Sequence, residues 1–312
     1  LINRVLGVAV ALAFIEPLGR WMVEFQPDTA RVAVDFHTLF NLATALIFLP
    51  LLKPFARALE WLYPDREDAA DPARPRYLAA TDRDMPVLAL GAAAREALRL
   101  ADALEEMLEE AAGALATGDR RRIAETRGRD DIPDRLNREI RTYLAMLDPE
   151  DMNPADRRRV EEILAFSANM EQAADVVCGR LMTDAGKRLK RGIAFSSAQQ
   201  AELDQLMARL KANIRLASSL FMTADPRAAR LLALEKTAFR DSETLAARRH
   251  FDRLRQGLAP LADASGLHID IVRDLKLVNS HVVAAAAYPV LARTGELLDT
   301  RIAVGREPTE LS

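Results

Sequence analysis

Between residues 84 and 300, apolar residues recur three or four positions apart in six successive segments. This spacing places them on one face of a helix, whereas a half-buried strand would need an apolar residue at every second position. The segments cover residues 84–117, about 119–148, 154–185, about 197–223, about 226–257 and about 266–294. Gly and Pro residues lie in the short connections, as expected at helix ends. The sequence therefore predicts an all-α chain whose main domain is an antiparallel helical bundle.

The first sixty residues have a different pattern, with two apolar stretches at residues 5–19 and 36–52. A helix over the 17 residues of the second stretch is about 25 Å long, slightly less than the roughly 30 Å of a bilayer core. Lys53 and Arg57 follow this stretch, which predicts a cytoplasmic location for that end. Hydropathy alone leaves two interpretations open, a transmembrane hairpin or a pair of buried helices in a soluble protein.

A segment rich in Pro and charged residues separates these two regions and is typical of a linker. Because the chain begins at Leu1 inside an apolar stretch rather than at Met, we expect it to be the C-terminal part of a longer protein. The predicted organisation is a membrane hairpin at residues 1–62, a linker at 63–83, a bundle at 84–300 with repeats at about 84–192 and 197–300, and a tail at 301–312.

Composition and charge exclude several classes of function. The net charge is −3, so no overall basic field exists to hold nucleic acid. The single cysteine, Cys178, rules out an intrachain disulfide and fits a reducing compartment. The sequence contains no nucleophile–base pair, Gly-rich phosphate loop or His/Cys metal cluster. We therefore predict that the chain is not an enzyme and has no nucleic-acid partner.

Two pairs of acidic residues lie four positions apart on helix faces that are otherwise apolar or small. Glu171 and Asp175 form one pair in the third predicted helix, and Asp270 and Asp274 form the other in the sixth. The separation between Glu171 and Asp270 equals the separation between Asp175 and Asp274. This equal spacing supports an internal repeat of three helices. Like charges at this spacing repel each other, so a positive partner is expected.

A third acidic pair, Asp130 and Asp134, opens the second predicted helix. Its counterpart in the fifth helix is Glu235, where the position four residues later is Phe239. Asp130 and the next residue, Asp131, also have a simpler interpretation: a proline follows close to a first helical turn, so either aspartate could be the helix N-cap.

Two interpretations of the acidic pairs remain open from the residues alone. The carboxylates can pair with the abundant arginines and fix the helix register. Alternatively, carboxylates from two helices of each repeat bind a metal ion, and ligation by oxygen alone would favour Mg²⁺, Mn²⁺ or Fe³⁺ over zinc. His281 lies in the same stripe as the pair of the sixth helix and is a candidate extra ligand.

Several segments resemble one family of membrane proteins. The segment from Phe36 to Leu42 resembles the last membrane segment of bacterial sodium–phosphate cotransporters. The stretch from Met170 to Asp175 resembles the acidic motif of PhoU. The run from Ser265 to Lys276 resembles the second half of the PhoU-like domain that is fused to those transporters. With the shorter matching stretches, the resemblance covers nearly the whole chain.

The resemblance implies two transmembrane helices followed by a PhoU-like six-helix bundle made of two three-helix repeats. It implies a multi-pass protein of the inner membrane, in contact with the lipid bilayer, whose bundle lies in the cytoplasm. Inorganic phosphate and sodium would be bound by a transport core upstream, since the Gln-Ser-Ser signature of that core is absent here. The chain alone is therefore not expected to transport phosphate. The bundle would bind metal and sense or restrain transport, with a regulatory protein or a second copy of the chain as partner.

Carried over to this sequence, the resemblance implies metal ligands at the acidic positions and polar groups in the membrane segment. The metal residues are Asp130, Asp134, Glu171, Asp175, Asp270 and Asp274, with Glu235 in the second repeat. Because Phe239 departs from the family pattern, the site of the second repeat is expected to be incomplete or to use Glu235 or Glu243. His37, Thr38 and Asn41 are expected to line a cavity or a helix–helix contact. The alternative is a membrane-tethered PhoU-like adaptor in phosphate signalling without a role in transport.

Overall fold

The computed structural model describes residues 71–79, 85–256 and 259–296, together with residues 16, 17, 20, 31, 34, 37, 38, 40–42, 45, 46, 49, 50, 53 and 54. The chain divides into two compact units, Leu1–Ala70 and Asp71–Ser312, and each is described by itself. In the first unit the described positions are all helical. Most of the predicted membrane hairpin and the whole predicted tail lie outside the described residues.

The second unit consists of helices, and its described residues contain no strand. In chain order the helices are α1 (Pro86–Thr117), α2 (Arg120–Arg127), α3 (Asp131–Ala145), α4 (Pro154–Asp175), α5 (Met182–Arg191), α6 (Ser197–Thr223), α7 (Pro226–Arg255) and α8 (Ala259–Arg293). A 3-10 turn at Pro149–Asp151 precedes α4, and a π-helical turn at Val176–Leu181 joins α4 to α5. The prediction of an all-α fold is confirmed.

Side chains at the helix starts bind backbone N–H groups that have no partner within the helix. Asn153 and Asp156 form a capping box at the start of α4, and Ser196 and Gln199 form another at the start of α6. Helix α1 ends at Gly118 in the left-handed conformation, φ 65°, which glycine adopts without a steric penalty. These local signals coincide with the helix boundaries that the sequence predicts near residues 117, 154 and 197.

The bundle contains two sets of three long helices. In the first set, α1 packs against both α3 and α4, and in the second set, α8 packs against both α6 and α7. The two sets meet where α8 packs against α4 and where α1 packs against α6. Small side chains such as Ala93, Ala97 and Ala111 of α1 are fully buried, so the neighbouring helices approach closely and the core remains dense.

Helix α8 includes a segment, Asp263–Arg293, that is long and apolar enough to span a membrane, with a mean hydropathy of 1.3 over its best window. It is the one such helix among the residues that the structure describes. However, 56% of that window is buried inside the bundle, as expected for a helix that is packed on several sides. The two predicted transmembrane helices are therefore not supported by the described residues, since the one candidate is a core helix of the bundle.

Two segments differ from the boundaries predicted from sequence. The segment predicted as one helix over about 119–148 forms two helices, because the chain turns at Gly128 between α2 and α3. The helix predicted over 154–185 continues to Arg191 through the π-helical turn. A π-helical turn closes each hydrogen bond over one more residue than an α-helix does, so it rotates the following side chains to a different face.

Residues 71–79, which fall within the predicted linker, pack on the bundle, and we call them the strap. Glu96 of α1 is fully buried, and its Oε2 accepts hydrogen bonds at 2.9 Å from the backbone N–H groups of Arg76 and Tyr77. Arg99 forms an ion pair with Glu96 and donates hydrogen bonds to two carbonyl oxygens of the strap. A buried carboxylate is unfavourable without such partners, so the strap is a structural part of the bundle.

Replacing Glu96 with Ala should lower the free energy of unfolding by about 3 kcal/mol, because Arg99 and two backbone N–H groups lose a buried acceptor. The same substitution should release the strap. Urea denaturation of the full chain measures the first effect, and the rate of trypsin cleavage after Arg76, which precedes Tyr77, measures the second.

The matched control is Glu105→Ala. Glu105 also pairs with an arginine, Arg215, but that arginine is exposed, and surface ion pairs contribute only about 0–1 kcal/mol. Equal destabilisation by the two substitutions, with unchanged cleavage of the strap, would contradict the structural role of Glu96.

Candidate functional site

Three acidic residues of the first repeat meet where α3 packs against α4. Asp134 lies in the first turn of α3, and Glu171 and Asp175 lie one turn apart at the end of α4. One carboxylate oxygen from each residue lies within 4.8 Å of the other two. We call these carboxylates the acidic triad. Within the part of the chain that the structure describes, this is the one group of three or more such ligands with this spacing.

The acidic triad lacks a compensating ion pair. None of its members forms a salt bridge with another described residue. Burial raises the pKa of Glu171. The charges of Asp175 and Asp134 raise this pKa further, whereas the charge of Arg141 lowers it. Burial likewise raises the pKa of Asp175, and Asp134 and Asp130 add to this effect. Both carboxylates are therefore in a position that disfavours their charged form until positive charge is supplied.

Asp130, the other predicted ligand of the first repeat, is the N-cap residue of α3. Its side chain accepts a hydrogen bond from the backbone N–H of Asp131 at 3.1 Å. This is the capping role that the sequence left open for it. Asp130 lies near the acidic triad, since its charge acts on Asp175, but it is not one of the three grouped carboxylates.

The equivalent pair in the second repeat has arginine partners. Asp274 is buried, with its side chain 4% exposed, and its Oδ1 lies 2.7 Å from a guanidinium nitrogen of Arg180. Arg180 belongs to the π-helical turn of the first repeat, so this ion pair links the two sets of helices. Asp270 accepts a hydrogen bond from Arg273 at 3.2 Å. The structure therefore places Asp270 and Asp274 beside arginines. Asp184 lies close enough to raise the pKa of Asp274, but among the described residues these carboxylates do not form a group with the spacing of metal ligands.

The candidate ligands of α7 also have cationic partners. Glu235 accepts two hydrogen bonds from Arg209, at 2.5 and 2.8 Å, and one from Asn213 at 3.2 Å. Burial acts to raise the pKa of Glu235, but these hydrogen bonds outweigh it and lower the pKa. Glu243 likewise pairs with Arg273 and Lys276. Within the described residues, neither glutamate joins a group of acidic ligands.

Among the remaining predicted polar residues, Thr38, Asn41 and His281 have polar partners within the protein. Thr38 donates a hydrogen bond to the carbonyl oxygen of Val34 at 3.0 Å, and Asn41 donates one to the carbonyl oxygen of His37 at 2.8 Å. These bonds satisfy the polar side chains within their own helix. In the bundle, Nδ1 of His281 lies 3.4 Å from the amide oxygen of Asn169, and among the described residues His281 is not part of the grouped acidic ligands.

The partnership of Arg180 with Asp274 was not predicted from sequence. The two residues lie on different helices, and the π-helical turn that carries Arg180 begins directly after Asp175. No periodicity in the sequence marks the extra residue of such a turn. The turn also contains Cys178, whose buried thiol donates a hydrogen bond to the carbonyl oxygen of Thr126 at 3.0 Å. Burial raises the pKa of this thiol to about 12.

Comparison with known protein families matches residues 97–178 to the PhoU domain. The chain contains a PhoU domain. The matched segment runs from α1 into the π-helical turn and includes the acidic triad. The predicted resemblance to PhoU is confirmed, whereas a sodium–phosphate cotransporter core is not shown.

The similarity to two curated proteins extends beyond the residues that match the PhoU domain. The chain is 33% identical over 296 residues to the "Putative inorganic phosphate export protein YjbB" of Escherichia coli K12, covering 95% of this chain and 54% of that protein. It is 32% identical over 291 residues to the protein of the same name from Salmonella typhimurium LT2, covering 93% of this chain and 53% of that protein. The chain thus spans about half the length of these relatives.

A solved structure shares the fold. The crystal structure of PhoU from Pseudomonas aeruginosa matches with a TM-score of 0.59 at 17% identity, covering 67% of this chain and 98% of that chain. The similarity confirms a PhoU-like helical fold. This similarity concerns the fold alone, and that the chain is not an enzyme stays a prediction.

Replacing Asp274 with Asn should change the pH dependence of stability. Burial raises the pKa of Asp274 from 3.8 to about 6, although Arg180 acts to lower it. The folded state thus holds this proton more tightly than the unfolded state does, so the stability it contributes is present below the unfolded pKa and lost as the pH rises through the folded pKa. Between about pH 4 and about pH 7, the wild type should lose stability relative to Asp274→Asn in urea denaturation.

Arg180→Gln provides a second arm of this experiment. Without the guanidinium, the pKa of Asp274 should rise further, so the loss of stability should extend to higher pH than in the wild type. Superimposable pH profiles for the wild type and Asp274→Asn would show that Asp274 does not occupy the buried, Arg180-paired position.

Proposed function

We propose that the chain is the regulatory end of a phosphate transporter, in which the PhoU domain binds a metal ion and controls phosphate movement across the bacterial inner membrane. The observation that carries this proposal is the similarity to a protein named for inorganic phosphate export, which extends over 95% of the chain. The PhoU match covers residues 97–178 alone, so the longer similarity includes segments on both sides of it. We propose export as the direction, and sodium as the coupling ion in the preceding part of the protein.

The acidic triad fits a hard metal ion. Its donors are all carboxylate oxygens, which suit Mg²⁺ and Mn²⁺, and which also suit Fe³⁺ better than they suit zinc. Burial and the neighbouring carboxylates raise the pKa of Glu171 and of Asp175, and a bound cation would offset both effects. Two ligands come from one helix and one from its neighbour, so binding would also hold α3 against α4. That Asp130 acts as a further metal ligand stays a prediction.

The second repeat supports metal binding less well. A metal ion at Asp270 and Asp274 would have to displace the arginines that already occupy these carboxylates. Glu235 would similarly have to leave Arg209. We therefore propose one strong metal site in each chain, at the acidic triad, while the ligand role of the second-repeat acids stays a prediction.

The first unit supports a membrane location. Leu42, Leu46 and Leu49 are helical, lie three or four residues apart, and are between 56% and 70% exposed. An exposed stripe of leucines on one face suits contact with lipid or with another membrane helix. Thr38 and Asn41 satisfy their polar groups within the helix, as a membrane environment requires. We propose that these residues belong to a membrane hairpin whose bundle lies in the cytoplasm.

The full chain, stripped of metal with a chelator and then dialysed against Mn²⁺, should retain about one Mn²⁺ ion per molecule, because one set of oxygen ligands is free of cationic partners. The double variant Glu171→Gln and Asp175→Asn should retain none, because two of its three carboxylates are neutral. Elemental analysis of the dialysed samples measures the metal content directly.

The matched control is Glu105→Gln with Glu109→Gln, another acidic pair four residues apart, whose partners are Arg215 and Lys211. This variant should keep its Mn²⁺. Equal metal content in all three proteins would mean that the acidic triad does not bind the ion. Two ions in the wild type, one of them lost in Asp270→Asn with Asp274→Asn, would instead show that both repeats bind metal.

Deleting residues 84–300 from the complete gene product that contains this chain should alter phosphate flux and its response to external phosphate, because the regulatory domain is gone. Release and uptake of radioactive phosphate by cells, measured with and without sodium, test both the direction and the coupling ion.

The Glu171→Gln and Asp175→Asn variant of the gene product serves as the point-mutant arm of this flux experiment. It should reproduce the regulatory defect of the deletion while leaving the transport core intact. Unchanged flux and unchanged phosphate response in both variants would favour an adaptor that only signals to another protein.

A further inference from the structure

A cavity of about 690 Å³ lies between α3 and α4, beside the acidic triad. Its volume falls within the usual range for small-molecule sites, roughly 300–1,000 Å³. The polar residues that line it are Asp134, Asn137, Arg138, Arg141, Thr142 and Glu171. Two members of the acidic triad therefore form one side of the cavity, and two arginines of α3 lie nearby.

Several polar side chains of this cavity form no hydrogen bond or salt bridge with another described residue. Asn137 is 7% exposed, and its Oδ1 is buried without a hydrogen-bond donor. Arg138 and Arg141 form no hydrogen bond or salt bridge with another described residue. By contrast, Arg135 on the same helix pairs with Asp71 at 2.9 Å. Leaving a buried acceptor without a donor costs about 1–3 kcal/mol of stability. A ligand that donates a hydrogen bond to Oδ1 of Asn137 would remove this cost.

The charge of the cavity depends on whether metal is present. The acidic triad contributes three negative charges and the two arginines contribute two positive charges, which leaves a negative balance. A divalent cation at the acidic triad would make the balance positive. An anion would then lie between the arginines and the cation, as phosphate groups do in magnesium sites that use few carboxylates.

We propose that this cavity binds a phosphate group next to the metal ion, with Arg138 and Arg141 as its cationic ligands. The inference rests on the metal site of the proposed function and adds the substrate class that the domain senses. The planar guanidinium groups match the oxygens of phosphate, and Thr142 offers a hydroxyl donor.

Asn137 provides selectivity for phosphate over sulfate. Hydrogen phosphate carries an O–H group at neutral pH and can donate it to Oδ1 of Asn137, whereas sulfate carries no proton. Sulfate would leave that acceptor unpaired and should bind about ten-fold more weakly. The apolar wall, which includes Leu144, Val160 and Leu164, also allows the phosphate to be part of a small ester.

Equilibrium dialysis of labelled inorganic phosphate against the full chain tests the proposal. Binding should be present with Mg²⁺ and absent with chelator, and Arg138→Gln with Arg141→Gln should weaken it at least about ten-fold by removing two charged hydrogen bonds. Sulfate and glycerol phosphate are used as competitors. The control is Arg248→Gln with Arg255→Gln, which removes the same charge from exposed arginines of α7 and should leave binding unchanged.

The metal content of the same dialysed samples separates the two hypotheses. Bound metal without bound phosphate, or equal weakening by both arginine variants, would overturn the phosphate site and leave the metal site standing. Absence of both metal and phosphate would overturn both. Competition by glycerol phosphate that exceeds competition by inorganic phosphate would support the site and assign it to phosphate esters. Unchanged helical circular dichroism shows that the variants remain folded.

Discussion

The burial of α8 against α4, α6 and α7 is the packing on which the rest of the bundle depends. It joins the two three-helix sets into one core, and it buries the carboxyl group of Asp274 at their contact. A carboxylate in that position needs a cation within hydrogen-bonding distance. Arg180 supplies it from the first set, so the same contact that forms the core also fixes the electrostatics of the second repeat.

The two repeats therefore use the same spacing of acids in different ways. In both repeats the acids lie one helical turn apart, and in both the helix face is partly buried. What differs is the third group that a neighbouring helix contributes. In the first repeat α3 contributes another carboxylate, Asp134, and the charges repel. In the second repeat the π-helical turn contributes Arg180, and the charges attract.

Local sequence signals predicted the parts of the structure that depend on local interactions. The all-α fold follows from apolar periodicity, and the start of α6 follows from the Ser196 and Gln199 capping box. The residues of the acidic triad were also among the predicted ligands, because Glu171 and Asp175 are neighbours on any α-helix. Which third residue meets them is a tertiary question, and the sequence offered Asp130 and Asp134 equally.

The features that the sequence did not predict depend on contacts between distant residues. Residues 71–79 have the composition of a linker, yet Glu96 holds two of their backbone N–H groups from a position on α1. Hydropathy also allows α8 to span a membrane, although the apolar periodicity placed it correctly in the bundle, where other helices cover its apolar surface. In both cases the composition is correct for two different environments, and only the packing partner decides between them.

Helix α3 connects the acidic triad to the strap. Its first turn carries Asp134, and the next residue, Arg135, forms an ion pair with Asp71 at 2.9 Å. Near its other end, the hydroxyl of Tyr143 donates a hydrogen bond to the carbonyl oxygen of Ala79 at 3.2 Å. A cation that draws Asp134 toward α4 therefore acts on the same helix turn that holds the strap. Binding of a metal ion at the acidic triad, as proposed above, would therefore act on the strap through α3, because contacts near both ends of this helix hold strap residues.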